Sequence, residues 1–460
     1  MSEPGERATG AGTRDTRPSL LCLSQSFAPD TTPTGIRATQ LVRRLAADWD
    51  VTVLTEASGA GELPGVRVQT VSGRRPRRLF ALLRRLRLDK LIELFVWPDD
   101  SIFWLAPAIA AGRRAIRERR PDAIVVFMMP YSSGLAGVAL SRLARVPLVL
   151  NLDDSPTCTD MHPRFPTRLH HRLARALEDF YARRADEIVY VSQVNLDAVR
   201  ARQPERVRER FHLVRYGADV HQRELPAPAP GRFEVAYVGA MSGWWSLIEQ
   251  DERPSLARRA LRAWNRLGRY EAFALDERTS SPLAIGHAIQ AVLREHPDWA
   301  GRVGLTIYGN PYPQDVVARA LAAAGIEDVV TVNGPVPHER VAGLLASADL
   351  LFITLPSRPD GSRGGRISAK TYEYLATDRP ILAAVPHGEN WEYLDGRPGV
   401  WLAAPDDEET MHAVVAQLAQ AKLGGATLAF DRSELREELS YDTRAREMGA
   451  VIRAAIERRN

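Results

Sequence analysis

Short apolar runs alternate with amphipathic stretches twice along this chain, and a proline-rich break separates the two series. In the first half the runs are residues 19–25 (SLLCLSQ), 51–57 (VTVLTEA), 66–71, 123–129 (AIVVFMM), 146–152 (VPLVLNL), 187–193 (EIVYVSQ) and 211–217 (FHLVRYG). Each is short, rich in β-branched or apolar residues and bounded by polar or turn residues, which predicts a strand. Amphipathic stretches such as 36–47 and 166–184 lie between them and predict helices. Strands that are apolar throughout and alternate with helices indicate a parallel sheet covered on both faces.

The break is 225–232 (LPAPAPGR), where prolines exclude helix and central strand. The alternation then restarts. Strands are expected at 233–240, 303–309, 329–334, 349–355, 379–385 and 400–403. Helices are expected at 282–295, from 315, and at 337–347 and 369–376. Residues 241–281, which carry Trp244, Trp245 and Trp264, interrupt the first strand–helix unit as a helical insertion. Residues 431–459 read as an amphipathic helix with no strand after it. Two consecutive doubly wound sheets are the expectation, and 460 residues exceed what one ordinary core holds.

No run approaches the roughly 20 apolar residues needed to span a bilayer. Residues 1–18 are polar and lack an apolar h-region, so they read as a disordered tail and not a secretion signal, which predicts a cytoplasmic chain. Cys22 and Cys158, the only cysteines, form neither a disulfide framework nor a zinc site alone, and Cys22 reads as a small core residue. Net charge is only +4, so clustering matters more than balance. Residues 74–90 (RRPRRLFALLRRLRLDK) interleave eight cations with leucine and phenylalanine. They form either a solvated helix face or an interfacial helix drawn peripherally to an anionic membrane. No nucleic-acid-binding module accompanies them.

In an open parallel sheet, ligands bind beyond the carboxyl ends of the strands, where helix N-termini favour phosphate. Three loops of the second half meet that condition: 239–243 (GAMSG), 309–313 (GNPYP) and 362–370 (SRGGRISAK). The third sets Gly364, Gly365, Arg363, Arg366, Ser368 and Lys370 at the start of a short helix. Glycine admits close backbone approach, arginine forks a phosphate and lysine adds a point charge, as a diphosphate requires. The same composition also suits a solvated basic loop. Glu373, on the next turn, suits a ribose diol or an i,i+3 pairing with Lys370. No dinucleotide fingerprint, P-loop or metal-ligand spacing is present, since Asp153 and Asp154 are adjacent and the histidines form no motif.

Residues 367–384 (ISAKTYEYLATDRPILAA) resemble the donor-site helix of the retaining GT-B glycosyltransferases, specifically the "glycosyl transferases group 1" family (glycosyltransferase family 4). Residues 26–30 (SFAPD) with Gly35, 121–137, 151–156 (NLDDSP), 185–192, 216–219 (YGAD) and 333–348 resemble further blocks of that family, in order. The resemblance implies an α/β GT-B fold: two Rossmann-like domains, 19–224 and 233–430, facing a central cleft. The first would bind the acceptor, the second a nucleoside-diphosphate sugar, and 431–460 would cross back to the first. The co-substrate would be UDP- or GDP-linked, with no separate cofactor and no metal. Glu373 would hold the ribose. Lys370, Arg366 and Ser368 would stabilise the leaving diphosphate, with Gly365, Arg363 and Gly239 nearby. Gly309, Pro335 and Val336 would flank the base. Asp30, Gly35 and Tyr131 would lie on the acceptor side, with Asp154 or Asp30 as acceptor base. The acceptor would be a lipid-linked or envelope glycan, another lipid, or a small secondary metabolite.

Three departures stand out. Gly365 occupies the position where the family often has a second glutamate. Residues 243–281 displace the Arg and Lys expected after the second domain's first strand, leaving Arg363, Arg366 or Arg253 as substitutes. Tyr131 and Ser132 stand where the first domain often has a histidine. A non-catalytic GT-B subunit that binds through the insertion, or another GT-B enzyme such as a sugar-nucleotide epimerase, is the alternative reading.

Overall fold

The structure, a computed structural model, describes residues 17–56, 63–158, 160, 164–218, 226–241, 243–245 and 256–459. Residues 1–16 of the expected tail, Asp219, Leu225, Ser242 and Arg253 lie outside the described residues.

Seven strands form the first sheet: β1 (Ser19–Ser24), β2 (Asp50–Thr55), β3 (Val66–Thr70), β4 (Ala123–Phe127), β5 (Leu148–Leu152), β7 (Glu187–Tyr190) and β8 (Phe211–Leu213). Their order is β3-β2-β1-β4-β5-β7-β8, parallel throughout, with Leu21 opposite both Thr52 and Ile124. The second sheet holds β9 (Phe233–Val238), β11 (Val303–Tyr308), β12 (Val330–Val332), β13 (Leu350–Thr354), β14 (Ile381–Ala384) and β15 (Val400–Ala403) in the order β12-β11-β9-β13-β14-β15. Each sheet is doubly wound. The order reverses between β1 and β4 in one and between β9 and β13 in the other, and a ligand crevice opens at such a reversal.

Burial explains the apolar runs. Every residue of β1, β4, β5 and β13 is buried, as helices on both faces require. Cys22 is fully enclosed in β1, and burial pushes its thiol up to about 12, which suits a core residue and disqualifies a nucleophile.

The final stretch is two helices, Ser433–Leu439 and Tyr441–Arg459, rather than one. Ser440 turns extended between them, bridges to Ala218, and its hydroxyl accepts from the Thr443 N–H at 3.1 Å. An N-cap inside the apolar pattern restarts the helix. Tyr441, Met448, Ile452 and Ala455 then pack into the first domain's core beside Leu41, Val51 and Val125.

Within the insertion, Trp244 and Trp245 are buried in the second domain's core. The helix Leu256–Arg266 and the short strand β10 (Tyr270–Glu271) reach to the first domain, where β10 pairs antiparallel with β6 (Arg164–Phe165). Nothing in the alternating pattern announces this two-residue pairing. Among the described residues, no helix is long and apolar enough to cross a membrane.

Candidate active site

The carboxyl ends of the two sheets face each other. Ser192, just beyond β7, donates to Glu389, which lies beyond β14, at 2.6 Å. Glu389 is buried and also accepts from the backbone N–H groups of Gln193 (2.7 Å) and Val194 (3.0 Å) and from Arg215 (2.7 Å). It thereby satisfies N–H groups that the helix Gln193–Ala201 cannot satisfy internally. Arg358 bonds Asp160 at 2.8 Å and stacks over Phe273 at 3.9 Å, a second tie across the gap.

Lys370 lies against the carboxyl end of β9. Its side chain crosses Gly239, at the end of β9: a Cβ there would sit 2.4 Å from Lys370 Cε and 2.7 Å from Nζ. Gly239 also has φ of 149°, so both space and conformation demand glycine. The ammonium lies 5.1 Å over the Tyr237 ring. Among the described residues neither Lys370 nor Arg366 has an ion-pair partner, and both are half-buried. Among the described residues these two half-buried cations have no carboxylate partner, and Lys370 brings its positive charge to the end of β9, next to the reversal.

The helix Ala369–Leu375 that carries Lys370 is tightly held. The Val238 N–H donates to the Tyr374 hydroxyl at 2.9 Å, Thr371 donates to Asn390 at 2.9 Å, and Tyr372 stacks on Tyr216 of the first domain. Ser368 is its N-cap residue, buried, with no side-chain capping bond. Glu373 is half-buried one turn beyond Lys370. The loops after β9, β11 and β12 join through Gly239 N–H to Tyr308 carbonyl (2.6 Å) and Gly309 N–H to Gly334 carbonyl (3.0 Å). Pro335 is exposed and Val336 half-buried in the last of these loops. Arg363 is exposed and forks onto Glu392, with Nε to Oε1 at 2.7 Å, so unlike Arg366 its charge already has a partner.

Gly365 has a physical reason to be glycine. A Cβ there would lie 2.7 Å from Ser192 Oγ and 2.8 Å from Asn195 Oδ1 of the opposite domain. The glutamate that the family resemblance leads one to expect here has no room, and the buried carboxylate beside this point is that of Glu389. Sequence reasoning missed Glu389, because one acidic residue opening a six-residue helix, Glu389–Leu394, looks like an ordinary helix start.

On the first domain, Asp30 accepts from the Thr32 N–H (2.9 Å) and Gly35 lies in the first turn of the helix Pro33–Leu45, against Asp30. Asp153 is buried against Arg37 (3.1 Å) and Tyr216 (3.0 Å), a structural pairing, whereas its neighbour Asp154 is half-buried. The Tyr131 hydroxyl is buried without a hydrogen-bond partner among the described residues. Burial, and after it the carboxylates of Asp154, Glu178, Asp99 and Asp153, push that phenol well above its usual value, so it stays neutral.

Two facing doubly wound domains, with Lys370 at the second reversal point and no ion-pair partner for it among the described residues, define a nucleotide-sugar-dependent glycosyltransferase of GT-B architecture. Residues 34–217 match the model of the glycosyl transferase 4-like domain, and residues 283–421 that of the glycosyl transferases group 1. The chain belongs to this group, the retaining glycosyltransferase family 4. It is 27% identical over 356 residues, 73% of this chain and 71% of the other, to a 2-deoxystreptamine N-acetyl-D-glucosaminyltransferase of Streptomyces fradiae. Its fold is similar to a sucrose-phosphate synthase of Thermosynechococcus elongatus (TM-score 0.59, 15% identity, 95% of this chain and 98% of that one). It is also similar to the Anabaena protein HepE in complex with UDP (TM-score 0.57, 16% identity, 94% and 98%).

Proposed function

We propose that this enzyme transfers a hexosamine-type sugar from a UDP-sugar to a small aminocyclitol-bearing acceptor of secondary metabolism. The Streptomyces relative, a 2-deoxystreptamine N-acetyl-D-glucosaminyltransferase, supports the acceptor class, and the UDP in HepE supports the nucleotide. The carrying observation is the pair of half-buried cations, Lys370 and Arg366, with no ion-pair partner among the described residues.

In the reaction the bond between the anomeric carbon and the β-phosphate oxygen breaks, and an acceptor hydroxyl oxygen takes its place on that carbon. Negative charge grows on the departing UDP while the sugar gains positive charge. Cations fixed beside the leaving oxygen stabilise that state more than the ground state, which lowers the barrier. Lys370 and Arg366 take this role, Glu373 the ribose hydroxyls, and Gly239 and Gly309 the close backbone approach. Asp154 is proposed as the acceptor base.

A thermal-shift comparison of UDP, GDP and their sugars tests the donor. UDP at 100 times its dissociation constant should add about 2.7 kcal/mol. Absence of any nucleotide effect at millimolar concentration would sink the reading. UDP release that depends on added acceptor separates a transferase from an epimerase.

A second proposal concerns peripheral attachment. Leu79, Leu82 and Leu86 are 52%, 52% and 57% exposed beside the exposed Arg77, Arg78, Arg84 and Arg85. Leucines and arginines that share an outward surface suit an anionic bilayer. Co-sedimentation with anionic but not neutral vesicles is expected, and serine at the four arginines should abolish it. Unchanged sedimentation would remove the proposal.

A further inference from the structure

The first domain carries a cavity of about 550 Å³, within the roughly 300–1,000 Å³ usual for small-molecule sites. Trp97, Asp99, Tyr131, Phe165 and His170 line it from the first domain, and Arg269 from the insertion of the second. The insertion is strapped over this cavity. The buried Lys90 ammonium donates to the Trp264 carbonyl at 2.6 Å and to that of Leu267, closing the end of the helix Leu256–Arg266. Arg269 pairs with Glu93 at 3.2 Å, Glu271 with Arg164 at 3.0 Å, and the His171 ring lies between those of Phe165 (4.9 Å) and Tyr270 (4.8 Å). A segment of the donor domain therefore completes a chamber in the acceptor domain.

The charges in the chamber are not balanced. Its arginines all have acidic partners: Arg269 with Glu93, Arg164 with Glu271, Arg84 with Asp89. Asp99 has no cation among the described residues. Its carboxylate is fixed by the Ser132 N–H (3.0 Å), the Ser132 hydroxyl (2.6 Å) and the Ser101 N–H (3.1 Å). Burial lifts this carboxyl above its ordinary value despite those bonds, as expected of an anion still lacking its counter-charge. The Tyr131 hydroxyl, buried and unpartnered, belongs to the same wall.

We infer that this chamber is the acceptor site, that Asp99 selects a ring polyol bearing an ammonium group, and that residues 264–271 of the insertion form its specificity wall. The inference rests on the transferase reading above and adds to it the site and the selecting residues. Aromatic faces of Trp97, Tyr131 and Phe165 suit the C–H faces of such a ring, and the first two also suit its ammonium. An ammonium beside a half-buried carboxylate that is held by Ser132 and Ser101 and has no cation among the described residues gains a charge-assisted hydrogen bond that a hydroxyl at the same place does not.

The test is calorimetric titration of the full chain, with UDP present, by 2-deoxystreptamine and by myo-inositol, a ring of the same size with hydroxyls in place of amines. Wild type should prefer the amine at least tenfold. Asp99→Asn should erase that preference, and Lys90→Met, which releases the insertion, should weaken 2-deoxystreptamine binding, both with UDP affinity unchanged. Hydrogen exchange on wild type should show protection by 2-deoxystreptamine at 97–101, 131–133 and 264–271, which keeps the test decisive should a variant fail to fold. Normal UDP binding without amine preference, or a preference that survives Asp99→Asn, overturns the assignment of Asp99. A Lys90→Met variant with unaltered cyclitol affinity overturns the role of the insertion. Amine selectivity without nucleotide binding would instead reject the transferase reading and leave this site standing.

Discussion

Lys370 and Gly239 act as one unit: the lysine reaches its place only because the residue beneath it has no side chain. Lys370→Ala should lower kcat about a hundredfold or more, the scale for losing one preorganised group that meets transition-state charge. Gly239→Ala should lower activity comparably while Lys370 remains in the sequence, because the new methyl would sit within 2.7 Å of the ammonium and the φ of 149° disfavours it. Steady-state kinetics with a UDP-sugar reads both, and full activity of Gly239→Ala would show that the lysine need not cross that strand end. The sequence exposed Lys370, Arg366 and Glu373 through residue type and spacing. It did not tell Arg363 from Arg366, since the difference is a partner, Glu392, that comes from another helix.

At the scale of elements, the loop 361–368 and the helix Gln193–Ala201 meet with no spare volume. Gly365→Glu, the residue expected there from the family resemblance, should therefore not raise activity. It should destabilise by about 1–3 kcal/mol through overpacking against Ser192 and Asn195, with activity falling alongside. Denaturant titration and turnover measured together check this, and a more active variant would refute the close packing. The thirteen strands of the two sheets were legible, the fully buried ones such as β1, β4, β5 and β13 as apolar runs and the half-buried β3, β8 and β15 as short β-branched or apolar segments between turns. The β6–β10 pair was not, since two residues on each side carry no period and their partner lies 105 or more positions away. The split at Ser440 was missed for a related reason: an apolar pattern continues in register across an N-cap.

At the scale of the whole molecule, the last helix fastens the chain's end to its beginning. The buried Glu187 carboxylate on β7 takes His212 at 2.6 Å and Arg458 at 2.7 Å. Burial alone would raise this carboxyl, but the bonds from His212 and Arg458 outweigh it and hold it below its usual range. A depressed folded value means that the unfolded chain binds the proton first as pH falls. The stabilisation is thus complete above the ordinary value of 4.5 and is lost as pH drops below that, through the folded value. Arg458→Ala should reduce stability at neutral pH and flatten this acid-side slope, measured by melting temperature from pH 6 to pH 3. An unchanged slope would exclude Glu187 as a source of the acid sensitivity.

Sequence alone determined the two sheets, their parallel sense and the cationic loop before Lys370, because each depends on residues close together in the chain: apolar runs, glycines, a helix start. Tertiary structure decided that Arg363 is taken up by Glu392, why position 365 must be glycine, how Glu389 joins the domains and where the insertion goes. Those features arise between segments 29 to 197 residues apart, where packing and partner choice follow from the fold and leave no period in the sequence to read.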